Sequence, residues 1–239
     1  LSGYGHPASH LNAFLSNPDD QLTVWSTLAD YGAAYLFSLY LWEKYGGNDT
    51  IHRLVAEQQN GAAGLDAVLA AKGSSDRFAD VFARWTVANY LDDSSLANGF
   101  YGYTSLGLVD SGADNVTSFN RPVLTSSASS SVRSWAARYV KSSTGSGDLN
   151  LTFNGDDAGS FNVTVVKSST ASFSAGSNTV QTMTLNATQD GLVTVAGFGS
   201  AYPAVLLVAA NRSATVNPAA YTSNAAVTAA PSPTPSPTP

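Results

Sequence analysis

Apolar residues in the first ninety positions recur at steps of three and four, which is the period of an α-helix. The segment at residues 30–47 is apolar on nearly every side, so we expect it to be buried on most faces and to be the central helix of an all-α half. It ends at Gly46 and Gly47, since glycine favours the position after a helix. One line of helical spacing in this segment contains Leu28, Tyr31, Tyr35, Leu39 and Trp42.

Four shorter helices are predicted around this segment. Pro7 fits the first turn of a helix that runs to Leu15, because its missing N–H costs nothing there. We expect Asn48 or Asp49 to cap a second helix, and Ser75 to cap the last one. Between these two, Gly61 and Gly64 bracket a short helix, and the last helix carries the apolar positions Phe78, Val81, Phe82, Trp85, Val87 and Ala88.

The period changes from 3.6 to 2 after Val132, which is typical of strands with one buried face. Strands are predicted around Trp135–Tyr139, and then at 149–153, 161–166, 183–187 and 193–195. The run at 204–210, AVLLVAA, is continuously apolar and fits a central strand. About seven short strands separated by turns favour an antiparallel sandwich.

The pattern therefore predicts an α+β chain. It comprises an N-terminal all-α helical subdomain at 1–95, an irregular connecting segment at 96–131, an antiparallel β-sandwich at 132–228 and a Pro-rich tail at 229–239. The tail, AAPSPTPSPTP, favours extended polyproline II and is predicted to be a disordered linker.

Charge and cysteine content exclude several classes of function. The chain has a net charge of −6, and its few basic residues form no run that could bind phosphates. This argues against a nucleic-acid binder. The chain has no cysteine, so it has neither disulfides nor thiolate metal sites. No apolar run is long enough for a membrane span. The Ser/Thr-rich composition and the Pro-Thr tail favour a secreted or extracellular protein, cell-surface attached through that linker, and the first residue, Leu1, suggests a processed product or part of a longer protein.

Several packing motifs resemble one family. LNAFLSNP at 11–18, LTVW at 22–25 and DYGAAYLFSLYLWEKYG at 30–46 resemble the region after the active site in secreted bacterial zinc metallopeptidases of the gluzincin type, the hyicolysin-like group. FADVFARWTVANYLDD at 78–93 resembles the helix that closes that domain. LNLTFNG at 149–155 and AVLLVAANRS at 204–213 resemble the sandwich that follows it.

The resemblance implies a zinc peptidase as the whole parent, but this sequence contains neither HExxH nor the WLNEGL-like segment that supplies the third zinc ligand in that group. A zinc hydrolase needs three protein ligands and a general base. We therefore expect no cofactor in this chain and zinc in a full-length parent, which would act on peptide or protein substrates. Whether the chain belongs to an enzyme is left open.

One tyrosine is a candidate catalytic residue. The resemblance implies that Tyr31, or Tyr35, can donate a hydrogen bond to the oxyanion of a peptidase reaction. The alternative is a core tyrosine whose hydroxyl is satisfied by a neighbour.

The remaining polar candidates are weaker. His6 and His10 have the i, i+4 spacing of zinc-binding histidines, but Pro7 stands where a general base would be, and two solvent-facing loop histidines are the alternative. His52 stands alone and is expected to be structural or exposed. Asp156, Asp157 and Asp190 lie in predicted turns, where they are either calcium ligands or ordinary turn acids. Candidate glycosylation sites are Asn48, Asn115, Asn150, Asn162, Asn186 and Asn211.

Two functions from different classes follow. The first is the non-catalytic C-terminal part of a secreted zinc-metallopeptidase-like protein. The alternative is an extracellular structural or self-assembling protein, of filament or surface-layer type, which associates through the edges of the sandwich. A carbohydrate-binding sandwich is a third hypothesis, although the sequence lacks a clear row of exposed aromatic residues.

Overall fold

The computed structural model describes residues 6–108 and 127–228. It confirms the predicted α+β class, with five helices followed by two antiparallel sheets. The helices are α1 (Ala8–Ser16), α2 (Leu28–Lys44), α3 (Gly47–Ala56), α4 (Gly61–Ala71) and α5 (Phe78–Leu91), and a short 3₁₀ turn follows at Ala97–Gly99. The predicted tail at 229–239 and the sequon at Asn115 lie outside the described residues.

The two sheets each contain four strands, and they stack into a sandwich. One sheet has the order β1-β8-β3-β6 and the other the order β2-β7-β4-β5, with every pairing antiparallel. The strands are β1 (Ser127–Val132), β2 (Ala136–Ser142), β3 (Gly147–Gly155), β4 (Phe161–Ser168), β5 (Asn178–Met183), β6 (Asp190–Phe198), β7 (Ala204–Asn211) and β8 (Ala219–Thr228).

The helix α2 forms where the sequence predicts it, and a capping box fixes its start. The Asp30 carboxylate accepts hydrogen bonds from the backbone N–H groups of Ser26 and Thr27, which precede the helix. These bonds satisfy donors outside the helix, and the negative charge of Asp30 lies in the first turn, where the helix dipole favours it. The helix contacts α1, α3 and α5, as expected of the central helix.

The buried side of α2 differs from the prediction. Ala29, Ala33, Leu36 and Tyr40 face the core, whereas Leu28, Tyr31 and Trp42 are exposed and Tyr35 is partly exposed. Among the five residues whose helical spacing was noted in the sequence, only Leu39 is buried. A helix that is apolar all round has no single stripe, so the pattern alone does not identify the side that meets the core.

Two predicted helix caps are wrong. The helix α3 begins at Gly47 after Gly46 in a left-handed conformation, so Asn48 and Asp49 lie inside its first turn. The helix α5 is capped at Arg77, whose backbone N–H donates to Asp80 at 3.0 Å, and Ser75 lies before the cap. The start of α3 is a left-handed glycine, and the start of α5 depends on the Asp80 side chain three residues into the helix, so the usual preferences for the cap residue itself predict neither.

The predicted central strand is β7, and it is buried along its whole length. It pairs with β2 on one side and β4 on the other. Alternate residues Val205, Leu207 and Ala209 face the other sheet, while Leu206 and Val208 face the helices. The helical half therefore covers the outer face of the sheet β2-β7-β4-β5, and the helices and this face share one core.

The sandwich starts earlier than predicted, because β1 begins at Ser127 inside the segment predicted to be irregular. Trp135 is not in a strand: it lies in the turn before β2 with φ of 50°, and its ring packs 4.5 Å from that of Phe78 and 5.4 Å from that of Phe82. The strand predicted at 183–187 ends at Met183, and β8 is an additional strand. The division of the chain into domains at the predicted boundaries stays a prediction.

Candidate functional site

A cluster of large apolar side chains is exposed at the start of α2. Four of them form what we call the aromatic face: Val24, Trp25, Leu28 and Tyr31. Trp25 is 59% and Tyr31 52% exposed, and their rings meet edge to face with centroids 4.6 Å apart. Tyr31 is therefore a surface residue rather than a core tyrosine, and its ring packs against that of Trp25 in the loop before α2.

The two histidines border this face through contacts between α1 and α2. The ring of His10 on α1 lies 5.4 Å from that of Tyr31. His6, just before α1, is hydrogen bonded through Nδ1 to the Tyr35 hydroxyl at 2.5 Å and through Nε2 to the Ser105 carbonyl at 3.0 Å. Because a carbonyl only accepts, Nε2 carries a proton, and in the neutral ring Nδ1 accepts from Tyr35.

These contacts bear on the metal hypothesis for His6 and His10. Both ring nitrogens of His6 are engaged by protein atoms, so neither is free for a metal without breaking a hydrogen bond. Over residues 6–108 and 127–228, no group of three or more His, Cys, Asp or Glu side chains has the arrangement of a metal site. His52 is exposed on α3, remote in sequence from both.

The loop at residues 17–27, which we call the junction loop, joins α1 to α2 and binds the sandwich. Asp19 accepts from the backbone N–H of Arg133 at 2.8 Å and from Nη2 of Arg138 at 2.7 Å. The Leu22 N–H donates to the Trp135 carbonyl at 3.1 Å. This loop thus connects the aromatic face to the turn between β1 and β2.

A carboxyl pair lies beside the junction loop. Asp20 is 5% exposed and Asp30 is 4% exposed, and their carboxyl groups are close enough to influence each other's ionisation. Burial, followed by the charge of Asp30, raises the pKa of Asp20 to about 6. Burial alone would raise the pKa of Asp30, but hydrogen bonds from the Thr27 and Ser26 N–H groups lower it. The two groups therefore ionise in sequence, Asp30 first.

This pair lines an open cavity of about 360 Å³ between the helical half and the sandwich. Arg133 and Asn217 contribute from the sandwich side, and Val24 contributes from the aromatic face. The Oδ2 atom of Asp20 is buried and meets no hydrogen-bond donor among the described residues. No donor therefore stabilises a negative charge on this oxygen, which agrees with the direction in which the pKa of Asp20 is shifted.

The predicted turn acids are held by local hydrogen bonds. Asp156 accepts from the Ala158 N–H at 3.0 Å, and Asp157 is exposed. Asp190 accepts from Thr188 Oγ1 at 2.7 Å and from Asn154 Nδ2 at 2.5 Å. These contacts explain the acids as turn residues, and calcium binding there stays a hypothesis.

The sequons differ in accessibility. Asn48 and Asn186 are exposed, while Asn150 and Asn162 are partly exposed. Asn211 is fully buried, and its Nδ2 donates to the carbonyls of Val132 and Val216 at 3.2 and 3.0 Å. A glycan on Asn211 would have to displace these contacts, and glycosylation at each of the sequons stays a prediction.

Sequence reasoning missed the junction loop and most of the aromatic face. One signal was available in T-x-x-D at residues 27–30, a capping-box pattern that places Asp30 against the loop. A second was Trp25, a large aromatic residue in a loop next to Val24, where neither residue continues a helical or strand period. The pairing of Asp20 with Asp30 depends on the path of the loop, which no periodicity specifies.

Comparisons with known proteins give no family for this chain. No protein-family model and no curated protein matches it. A pre-peptidase C-terminal domain of a collagenase from Bacillus anthracis is similar at a TM-score of 0.33 and 7% identity, over 45% of this chain and 93% of that chain. The GH115 4-O-methyl-α-glucuronidase BtGH115A is similar at a TM-score of 0.26 and 9% identity, over 92% of this chain and 37% of that chain. Both scores are below the range in which a shared fold carries an argument.

A helix needs about 20 mostly apolar residues to cross a bilayer. Among the helices that the structure describes, none is both long enough and apolar enough to cross a membrane. The longest, α2, has seventeen residues and carries charged residues in its last turns.

Proposed function

We propose that this chain is the non-catalytic C-terminal part of a secreted zinc-metallopeptidase-like protein, and that its helical half packs against a peptidase half of the same parent. The aromatic face is the observation that carries the proposal. Exposed apolar clusters on soluble domains mark interaction sites, and interface centres are enriched in Trp and Tyr.

The position of the aromatic face supports the choice of partner. Tyr31 belongs to the segment at 30–46 whose motif resembles the helix that follows the third zinc ligand in gluzincins. In such a parent, the peptidase half would cover Trp25 and Leu28. The exposed hydroxyl of Tyr31 would then face the substrate carbonyl, where a donor stabilises the developing oxyanion. Zinc would be held by ligands of the peptidase half.

The activity of the parent tests this proposal. We expect the purified full-length parent to contain zinc, to hydrolyse a peptide substrate, and to lose activity on chelation with recovery on zinc addition. Tyr31→Phe should lower kcat by about 100-fold with a smaller change in KM, since an oxyanion donor acts in the transition state. A parent without zinc ligands, or one whose activity survives chelation, contradicts the proposal.

A binding measurement tests the docking surface separately. Trp25→Ala should weaken the association of this chain with the separately produced peptidase half by about 30-fold, as for a central aromatic anchor. Val55→Ala on α3 is the matched control, because Val55 is also a highly exposed apolar residue but lies outside the aromatic face. Equal losses for the two variants would exclude the aromatic face as the docking surface.

One observation favours the alternative, a self-associating extracellular protein. The strand β6 is at the edge of its sheet, and it exposes the large apolar residue Leu192. Unprotected edges with apolar residues pair with other chains. If this edge mediates assembly, sedimentation velocity should show concentration-dependent oligomers that Leu192→Lys abolishes. A monomer at every concentration removes this candidate.

A further inference from the structure

The junction loop brings together five charged groups from the two halves of the molecule. Asp20 faces Asp30 from α2, Arg133 from the turn before β2, and its neighbour Asp19. Asp19 in turn is paired with Arg138 on β2. The junction loop, α2, the turn before β2 and β2 itself therefore all place charged groups near Asp20.

The charges of this cluster balance only when Asp20 is protonated. Two carboxylates, Asp19 and Asp30, then face two guanidinium groups, Arg133 and Arg138. In that state, the Asp20 carboxyl group has a proton to donate to Asp30, and its buried oxygen that meets no donor carries no charge. Loss of the proton leaves an excess negative charge and two carboxylates in contact, which is unfavourable in a buried site.

We propose that the Asp20–Asp30 carboxyl pair is a proton-controlled latch between the helical half and the sandwich. With Asp20 protonated, the junction loop is held against the turn at 133–135. With Asp20 ionised, repulsion from Asp30 loosens the loop and moves Val24 and Trp25 of the aromatic face. This inference concerns the fold itself and does not rest on the proposed function.

The direction of the pH effect follows from the pKa of Asp20. Its value in the folded state, about 6, is above the ordinary value of 3.8. The folded protein therefore binds more protons than the unfolded chain between these values, and stability falls as pH rises through that window. Burial raises the pKa of Asp19 and of Asp92 as well, so a variant is needed to isolate Asp20.

The decisive comparison uses Asp20→Asn, whose amide donates to Asp30 at every pH. The wild-type Tm should fall by about 3 to 5 °C between about pH 5 and pH 7.5, while that of the variant should change by much less. Amide exchange in residues 17–27, corrected for intrinsic rates, should be faster at the higher pH in the wild type but not in Asp20→Asn. Asp157→Asn, at an exposed acid, is the matched control and should follow the wild type.

Two further measurements keep the test decisive if Asp20→Asn does not fold. Carbon-13 NMR of the wild-type carboxyl groups should show Asp20 titrating with a midpoint near pH 6. Arg133→Gln should move this midpoint upward, because it removes a neighbouring positive charge. An Asp20 midpoint near 4, or equal pH profiles for the wild type and Asp20→Asn, overturns the latch.

Discussion

Tyr139 on β2 donates a hydrogen bond of 2.7 Å from its hydroxyl to the carbonyl oxygen of Thr86 on α5. Both residues are buried, and the ring of Tyr139 stacks on that of Tyr90 with centroids 5.5 Å apart. A strand of the sandwich is thus joined to the last helix by a polar contact inside a shared apolar core, which fixes the distance between the two halves.

Removing the Tyr139 hydroxyl should weaken the contact between β2 and α5 without opening a cavity. We expect Tyr139→Phe to lower the free energy of unfolding by about 1 kcal/mol, the usual net value of a buried hydrogen bond. Urea denaturation followed by fluorescence measures it, with Tyr202→Phe at a partly exposed position as the control. A loss that the control matches would mean that the bond to Thr86 adds nothing.

Asp93 should be the most sensitive acid at the junction. It is fully buried after α5, and its Oδ2 accepts from the Gly176 N–H at 2.9 Å and from Asn178 Nδ2 at 3.0 Å, both in the sandwich. Asp93→Ala should lower the free energy of unfolding by about 3 kcal/mol, because it leaves the N–H groups of Gly176 and Ser95 without their acceptor. The amide of Asn178 keeps two backbone carbonyls as acceptors.

The pH dependence of this variant provides a second check. Burial alone would raise the pKa of Asp93, but its hydrogen bonds, with Ser95 first among the donors, lower it. The stabilisation from Asp93 is therefore lost as pH falls below about 4, and the difference between wild type and Asp93→Ala should shrink there. A difference that stays constant to low pH would show that the carboxylate charge has no part in it.

Gly32 on α2 permits the close approach of α1. A Cβ at this position would lie 2.2 Å from the His10 carbonyl oxygen, closer than real contacts allow. Gly32→Ala should lower the free energy of unfolding by about 2 kcal/mol, although alanine has the higher helix propensity. Ser38→Ala, at an exposed position on the same helix, should be neutral or slightly stabilising. Stabilisation by Gly32→Ala would indicate that α1 can move away at no cost.

Glycosylation should separate the sequons by burial. In a host that attaches N-linked glycans, peptide mass mapping should find Asn48 and Asn186 modified and Asn211 unmodified. Asn211→Gln should destabilise the fold by about 2 kcal/mol, because a longer amide cannot reproduce the buried bonds to Val132 and Val216. Asn186→Gln is exposed and serves as the comparison, with a smaller expected loss. A folded chain with a glycan on Asn211 would contradict this packing.

Hydrophobic periodicity was sufficient to predict a helical half followed by a sandwich, although not every strand of that sandwich. It located α2, α5 and β7, whose apolar positions outnumber any competing signal. It failed for β1, SASSSV, which has only two apolar residues and is held by backbone bonds to β8. It also failed for Trp135, which was predicted to begin the alternating pattern of a strand. Trp135 is in the left-handed conformation and belongs to the turn before β2.

The candidate sites were harder to predict because they depend on contacts distant in sequence. Tyr31 was chosen as a candidate from the resemblance, and its role stays a prediction. Its exposure follows from which side of α2 meets α1, where Gly32 permits the close approach. Asp20 and Asp30 are only ten positions apart, yet their coupling requires the loop between them to return to the helix start. The raised pKa of Asp20 arises from burial by both halves, a quantity that composition does not contain.

The strand β7 is buried on both of its faces, which affects whether the two halves can be produced separately. Leu206 and Val208 would meet water if the helices were removed, and so would the residues of α5 that cover them. Neither half should therefore be recovered as a stable fragment after separate expression. A backbone break between residues 108 and 127 should instead yield two pieces that stay together on gel filtration and separate only in denaturant.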